Sequence, residues 1–279
     1  MSGDLKKRLI FSIGTEVSDI TEKRLHNANQ FKKFSSKLRE GLKQYAENCN
    51  ADFNLTTFTT KNYDDLNIEK IKMWEKYLDD YDEVMYLDFD IIPNTNKNIF
   101  EKFNFNSLVT YMTPTPIPRF VQSRFDLEDK ESFIKTLDKY HWVIKTKQYK
   151  DMMYSQLCQP KNEWMMNTGT FGGNKKVRDE LRFSDRLNEV KKVVDEVKQI
   201  DDRYFYNNET MLTYMIEKYN VPLENLPTHW HQLILSDTNL KICKTSSLIH
   251  VINKDFENVF NFLWVLTISL IFQSDLLLF

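Results

Sequence analysis

The sequence predicts an α/β domain with crossover helices linking its strands. Three observations carry that prediction. Strand-like and helix-like segments alternate along the first 113 residues. One strand segment, residues 84–87 (Val-Met-Tyr-Leu), is unbroken by charge, as expected where both faces of a sheet are covered. Only six glycines and seven prolines occur in 279 residues, which leaves little room for flexible linkers and favours one continuous domain.

The elements follow in order. Leu9–Ile13 lies within a first strand at about 8–13; its apolar run is too short for a signal-peptide core. Phe31, Phe34, Leu38, Leu42, Tyr45, Ala46 and Cys49 recur with a 3.6-residue period and predict a helix over 29–48. "ADFNLTTFTT" alternates Phe53, Leu55 and Thr57 as a strand does. Ile68, Ile71, Trp74 and Leu78 share one face of a helix over 67–82, and "EVMYLDFD" is the next strand. Another strand covers 105–113, the proline-rich "TPTPIPRF" is a surface loop, and residues 130–156 are helical. "NEWMMNTGTFGGN" reads as a strand entering a turn at Gly169, Gly172 and Gly173. Helices over 176–199 and 205–218 and a late strand over 246–254 complete the order.

Composition narrows the function. A net charge of -2 lacks the basic excess of a nucleic-acid binder. Cys49, Cys158 and Cys243 are far apart and odd in number, so neither a disulfide framework nor a zinc spacing is present, and buried reduced thiols are expected. The run "VFNFLWVLTISLIF", residues 259–272, falls short of the roughly 20 residues needed to span a bilayer. Residues 256–279 are expected to be a helix packed on the domain, with membrane contact as the other reading. A cytoplasmic location is the default.

The chemistry-bearing pattern is Asp88-Phe89-Asp90, at the carboxyl end of a central strand, where wound sheets bind their ligands. Two carboxylates this close repel when ionised, and a divalent cation removes the penalty. Oxygen donors suit Mg2+ or Mn2+, which complete their shells with substrate phosphates and water. A dehalogenase-type phosphatase would use a D-x-D-x-T/V motif near the chain start, whereas Ile92 stands four beyond Asp88. A sugar nucleotidyltransferase would need a glycine-rich loop after the first strand, which "FSIGTEVSD" lacks.

"YLDDYDEVMYLDFDIIPNTN", residues 77–96, resembles the metal-binding strand of GT-A fold glycosyltransferases of the glycogenin and bacterial lipopolysaccharide galactosyltransferase type, commonly Y-x-x-V-L-Y-L-D-x-D. "KQYAENCNADFNL" is similar to their early helix-then-strand segment. "MNTGTFGGN" is similar to their N-x-G strand, and "IHVINK" to a shortened H-x-x-G-x-x-K-P-W, with Asn253 in place of the glycine and no Pro-Trp after Lys254. The resemblance covers roughly residues 8–255 and implies a Rossmann-like GT-A fold, with a mixed central sheet flanked by helices, as one domain over 1–255.

It also implies a metal-dependent transfer of sugar from a nucleotide diphosphosugar, UDP-sugar foremost, to a hydroxyl of a glycan or other acceptor, with retention of configuration. Asp88, Asp90 and His250 are the implied ligands of Mn2+ or Mg2+, with His229 and His231 as rivals of His250. Ile13, Gly14 and Phe89 are expected near the nucleotide, Gly169 near the donor sugar, and Lys254 near the phosphates. Asn167, Glu209 and Asp202 are the candidates for sugar binding or catalysis, Glu209 ahead of Asp202. "TPTPIPRF" with Trp164, Trp230 or Tyr206 is the candidate acceptor region. An inert nucleotide-sugar-binding domain and a phosphoryl-transfer enzyme are the alternatives.

Overall fold

β1 (Arg8–Glu16) is flanked on both sides by parallel partners, β2 (Asp52–Thr59) and β3 (Glu83–Leu87). The structure, a computed structural model, describes residues 6–16, 22–59, 63–113, 165–200, 208–234 and 240–263. The expected helix over 130–156, the "TPTPIPRF" loop, Trp164, Asp202, Tyr206 and residues 264–279 lie outside them. α1 (Glu22–Asn48) and α2 (Tyr63–Tyr77) make the crossovers between the first three strands.

The central sheet has six strands in the order β2-β1-β3-β6-β5-β7, with β5 at Leu108–Thr113, β6 at Met165–Asn174 and β7 at Leu223–Asn225. β6 is antiparallel to both of its neighbours, while β5 and β7 pair in parallel. The sheet is therefore mixed, as expected. A second sheet of three strands, β4-β9-β8, joins β4 (Ile91–Pro93), β8 (Gln232–Ile234) and β9 (Leu248–Val251).

Side-chain alternation along β1 and β3 supplies two apolar layers, because successive residues face opposite sides of a sheet. Leu9, Phe11, Val84 and Tyr86 pack with α2, α4 (Lys175–Leu181), α5 (Phe183–Ile200) and α6 (Asn208–Tyr219). Ile10, Met85 and Leu87 pack with α1 and with α3 (Ile99–Lys102). Asn50 and Asn220, both at φ 51°, follow the ends of α1 and α6 in the left-handed conformation that asparagine tolerates better than most residues. The final helical residues, 256–263 (α7), lay Phe256 against Phe31 at 5.2 Å and Phe260 against Phe34 at 5.4 Å.

Three expectations need correction. The third strand stops at Leu87 rather than running through Asp90, because the chain turns at 88–90 and resumes as β4 in the other sheet. Gly169, Gly172 and Gly173 lie inside β6 with no positive φ, so they do not form a turn. They are needed for close approach: a Cβ at Gly172 would stand 2.5 Å from Met85 Sδ and 2.8 Å from the Val84 carbonyl oxygen. The helix expected over 176–199 is two helices, broken at Arg182 with φ 45°. The second restarts because Glu75 accepts hydrogen bonds from the backbone N–H of Phe183 at 2.6 Å and of Ser184 at 3.0 Å.

Candidate metal centre and donor site

Asp88 and Asp90 occupy the turn that carries the chain from the large sheet to the small one. The Asp88 backbone N–H donates to the Gly169 carbonyl at 2.7 Å, and that of Ile91 to the Asp88 carbonyl at 3.0 Å. β9 then runs antiparallel to β4 with His250 opposite Ile91, which brings an imidazole 160 positions away to the same turn. His250 Nε2 lies 3.3 Å from Asp90 Oδ1 and 3.6 Å from Asp88 Oδ2. One ligand atom from each of the three residues falls within 4.8 Å of the other two, forming the candidate metal cluster among the described residues. Two carboxylates and one imidazole, with Asp88 open to one side, form a donor set that fits a hard divalent cation.

His231 is not in this cluster. It stands behind His250, with its Nε2 3.2 Å from His250 Nδ1 and 3.0 Å from Asn167 Oδ1, and its Nδ1 2.7 Å from Thr170 Oγ1. Contacts of this kind fix the orientation of a ligating ring. His229 lies exposed on the short 3-10 turn Thr228–Trp230. Trp230 is buried edge-on against Phe103, as a core residue.

Gly169 makes room for the His250 ring: a Cβ there would stand 2.4 Å from His250 Cε1 and 2.7 Å from Nδ1. The strand is also irregular here. Between Thr110 and Tyr111 the register of β5 on β6 jumps from Phe171 to Asn167, so residues 168–170 have no paired partner on β5. Bulges re-aim a strand locally, and this one turns Asn167–Thr170 toward the Asp88–Asp90 turn and α6.

Cations flank the carboxylates. Lys254 forms an ion pair with Asp90 from a left-handed backbone position at φ 60°. Burial pushes Asp90 toward its protonated form, but the Lys254 ammonium and His250 outweigh burial and hold the carboxyl well below the usual range. Lys70, buried on α2, donates to the Thr168 carbonyl at 3.1 Å, lies 3.6 Å from Asp88 Oδ1 and sits over the Tyr86 ring. The Tyr86 hydroxyl donates to Asp88 Oδ1 at 2.5 Å. The sequence reading missed Lys70. Its signal was a position four residues before Trp74, on the apolar face, where an unpaired ammonium would be costly.

α6 closes the site from the far side of β6. Asn167 Nδ2 donates to Glu209 Oε1 at 3.2 Å, and Thr168 Oγ1 donates to Asn208 Oδ1 at 3.0 Å. Burial raises Glu209 to about 7, against the opposing pull of Lys70 and the Thr168 backbone and with a smaller contribution from Asp88. Asn208 Nδ2 is buried and has no partner among the described residues. Ile13 and Gly14 lie on β1 beyond the point where β3 stops, since Ser12 Oγ already donates to the Leu87 carbonyl at 2.6 Å. Phe89, between the aspartates, stacks on Phe31 of α1 with ring centroids 6.1 Å apart.

Fold and site together define a class: a mixed α/β domain with an Asp-x-Asp turn at the carboxyl end of a central strand and a histidine brought in by a late strand. No family profile and no curated protein matches the sequence. Among solved structures, the chain is similar to a glycosyltransferase involved in the glycosylation of the major capsid of PBCV-1, at 13% identity and TM-score 0.47, over 88% of this chain and 93% of that one. It is also similar to mouse xyloside xylosyltransferase 1 in its apo form, at 12% identity and TM-score 0.42, over 88% of this chain and 98% of that one.

Proposed function

We propose that this protein is a metal-dependent glycosyltransferase that moves a sugar from a nucleotide diphosphosugar, foremost a UDP-sugar, to a hydroxyl of a glycan or other acceptor. The observation that carries the reading is the convergence of Asp88, Asp90 and His250 at one turn. A divalent cation bound there, Mn2+ or Mg2+, supplies positive charge to the diphosphate as it departs.

The protein's own groups complete the account. Lys254, already beside Asp90, adds charge to the phosphates, and Lys70 holds Asp88 from the sheet side. Ile13 and Gly14 offer backbone groups to the nucleoside. Asn167, held by Glu209, and Asn208, through its Nδ2, present amide donors toward the donor sugar. In the transfer, the acceptor oxygen bonds to the anomeric carbon as the bond from that carbon to the diphosphate oxygen breaks. The acceptor proton passes to the departing diphosphate, in keeping with a retaining reaction. Glu209, buried and high in pKa, then orients the sugar rather than serving as the base.

The test is release of nucleoside diphosphate by the full chain with Mn2+, a panel of nucleotide sugars screened first by thermal shift, and simple glycan acceptors. Release that depends on both donor and acceptor, and that falls by about a hundredfold or more in Asp90→Asn, supports the reading. Donor binding without release supports the inert alternative. An unimpaired Asp90→Asn rejects the metal site.

A further inference from the structure

Each carboxylate of the Asp88–Asp90 turn has its two oxygens engaged by different groups. Asp90 turns Oδ1 to His250 Nε2 at 3.3 Å and gives Oδ2 to the Lys254 ammonium. Asp88 turns Oδ2 to the same imidazole nitrogen at 3.6 Å. Its Oδ1 accepts from the Tyr86 hydroxyl at 2.5 Å and lies 3.6 Å from Lys70 Nζ. Of the three candidate ligands Asp88 is the most open: its side chain is 28% exposed, against 6% for Asp90 and 4% for His250. Tyr86, by contrast, is buried and locked in the sheet. It stands in β3 opposite Phe11 of β1 and Phe171 of β6, with its ring centroid 5.0 Å from each of theirs. Lys70 Nζ covers the ring at 4.9 Å from its centroid. A fixed hydroxyl therefore meets a carboxylate that would otherwise be free to turn, and hydrogen bonds to an ionised oxygen are the strong ones.

We propose that Tyr86 is a positioning residue that holds Asp88 as a one-oxygen donor and thereby tunes the cluster to a small octahedral cation over Ca2+. The inference rests on the reading of Asp88, Asp90 and His250 as metal ligands. A carboxylate free to rotate can present either oxygen or both. With Oδ1 engaged by Tyr86, Oδ2 is the oxygen left facing the His250 nitrogen. Holding a side chain in its bound orientation beforehand removes that ordering cost from binding. Because Lys254 likewise engages Oδ2 of Asp90, the cluster offers one oxygen from each aspartate and one imidazole nitrogen. Such a small protein donor set suits Mg2+ or Mn2+, which keep waters and take substrate phosphates. Ca2+ takes roughly six to eight oxygens and accepts both oxygens of a carboxylate. A hydroxyl that merely found the nearest acceptor would matter to folding and leave cation choice unchanged.

The test is isothermal titration calorimetry of the full chain with MnCl2 and with CaCl2, without nucleotide, on wild type, Tyr86→Phe and Val84→Ala. Tyr86→Phe keeps the buried ring, so the core stays filled and only the hydroxyl is lost. Val84→Ala thins the same apolar layer of β3 and serves as the control for packing damage. Tyr86→Phe is expected to bind Mn2+ about tenfold or more weakly and to lose much less affinity for Ca2+, so that the preference between the two ions falls. Val84→Ala is expected to melt at a lower temperature with both affinities kept. Wild-type Mn2+ affinity in Tyr86→Phe overturns the proposal. So does an equal loss for Mn2+ and Ca2+, or the same loss in Val84→Ala. A wild-type protein that binds no Mn2+ would remove the metal site itself and this proposal with it. That result is distinct from wild-type binding that the loss of the hydroxyl leaves unaltered, which overturns the role of Tyr86 alone.

Discussion

Asp90 is buried, yet it stays ionised because Lys254 and His250 face it; Glu209 is buried beside fewer compensating charges, and its carboxyl is raised. Two carboxylates in one site are thus set to opposite behaviour by their neighbours, a common pattern where chemistry is done. Glu209 should titrate with a midpoint near 7 in metal-free protein, against an ordinary value of 4.5. The folded state then holds this proton more tightly than the unfolded state. Its stabilising effect is full below about 4.5 and is lost as pH rises through about 7. Carboxyl NMR and pH-dependent denaturation check both points. A midpoint at the ordinary value, or a Glu209→Gln variant with the same decline in stability over that window, contradicts the assignment. Gly169→Ala is expected to push the His250 ring out of place, since the added carbon would stand 2.4 Å from it. A metal affinity about 10- to 100-fold weaker in calorimetry is the expected size of the effect. The same affinity as wild type would show that the ring can move at no cost to the site.

At the scale of elements, the join between α4 and α5 depends on a buried side chain from elsewhere in the fold. Glu75 accepts from two backbone donors and from the Ser184 hydroxyl at the start of α5, where no carbonyl of the helix can reach. Glu75→Ala should therefore cost up to about 2 kcal/mol, in the range of lost N-caps. Urea denaturation measures it, and an unchanged midpoint would mean that water satisfies those donors. The break at Arg182 was not legible in "ELRFSD", which contains neither glycine nor proline. The cap lies more than 100 positions upstream, so local periodicity reads straight through it. By contrast, α1 and α2 were legible because each buries one stripe and that stripe alone sets the period. β6 was read as a strand leading into a turn because three glycines ordinarily mark one. Its glycines answer instead to Met85, Val177 and His250 packed against the strand.

For the whole molecule, protection should be deepest where both layers meet. The amides of β1, β3 and β6 and of the almost wholly buried α6 are expected to exchange most slowly with solvent, and those of the exposed side of α1 and of β7 faster. Hydrogen exchange by mass spectrometry resolves these segments; fast exchange in α6 would contradict its place in the core. The mixed sheet gives the site its stiffness, because β6 hydrogen-bonds to β3 on one side and β5 on the other while its bulged residues face the Asp88–Asp90 turn.

The sequence by itself determined that this is an α/β domain and that a paired carboxylate follows its central strand. Those features are local: an apolar run, a period and a charge pattern are all written within a few residues of one another. Only the tertiary structure decided the rest. It selected His250 over His231 as the third member of the cluster and set His231 behind it, brought Lys70 to Asp88, and made Gly169 a space for an imidazole. Each of these depends on register between strands or on packing between elements far apart in sequence, and such distances are set when the layers close, not by any one segment.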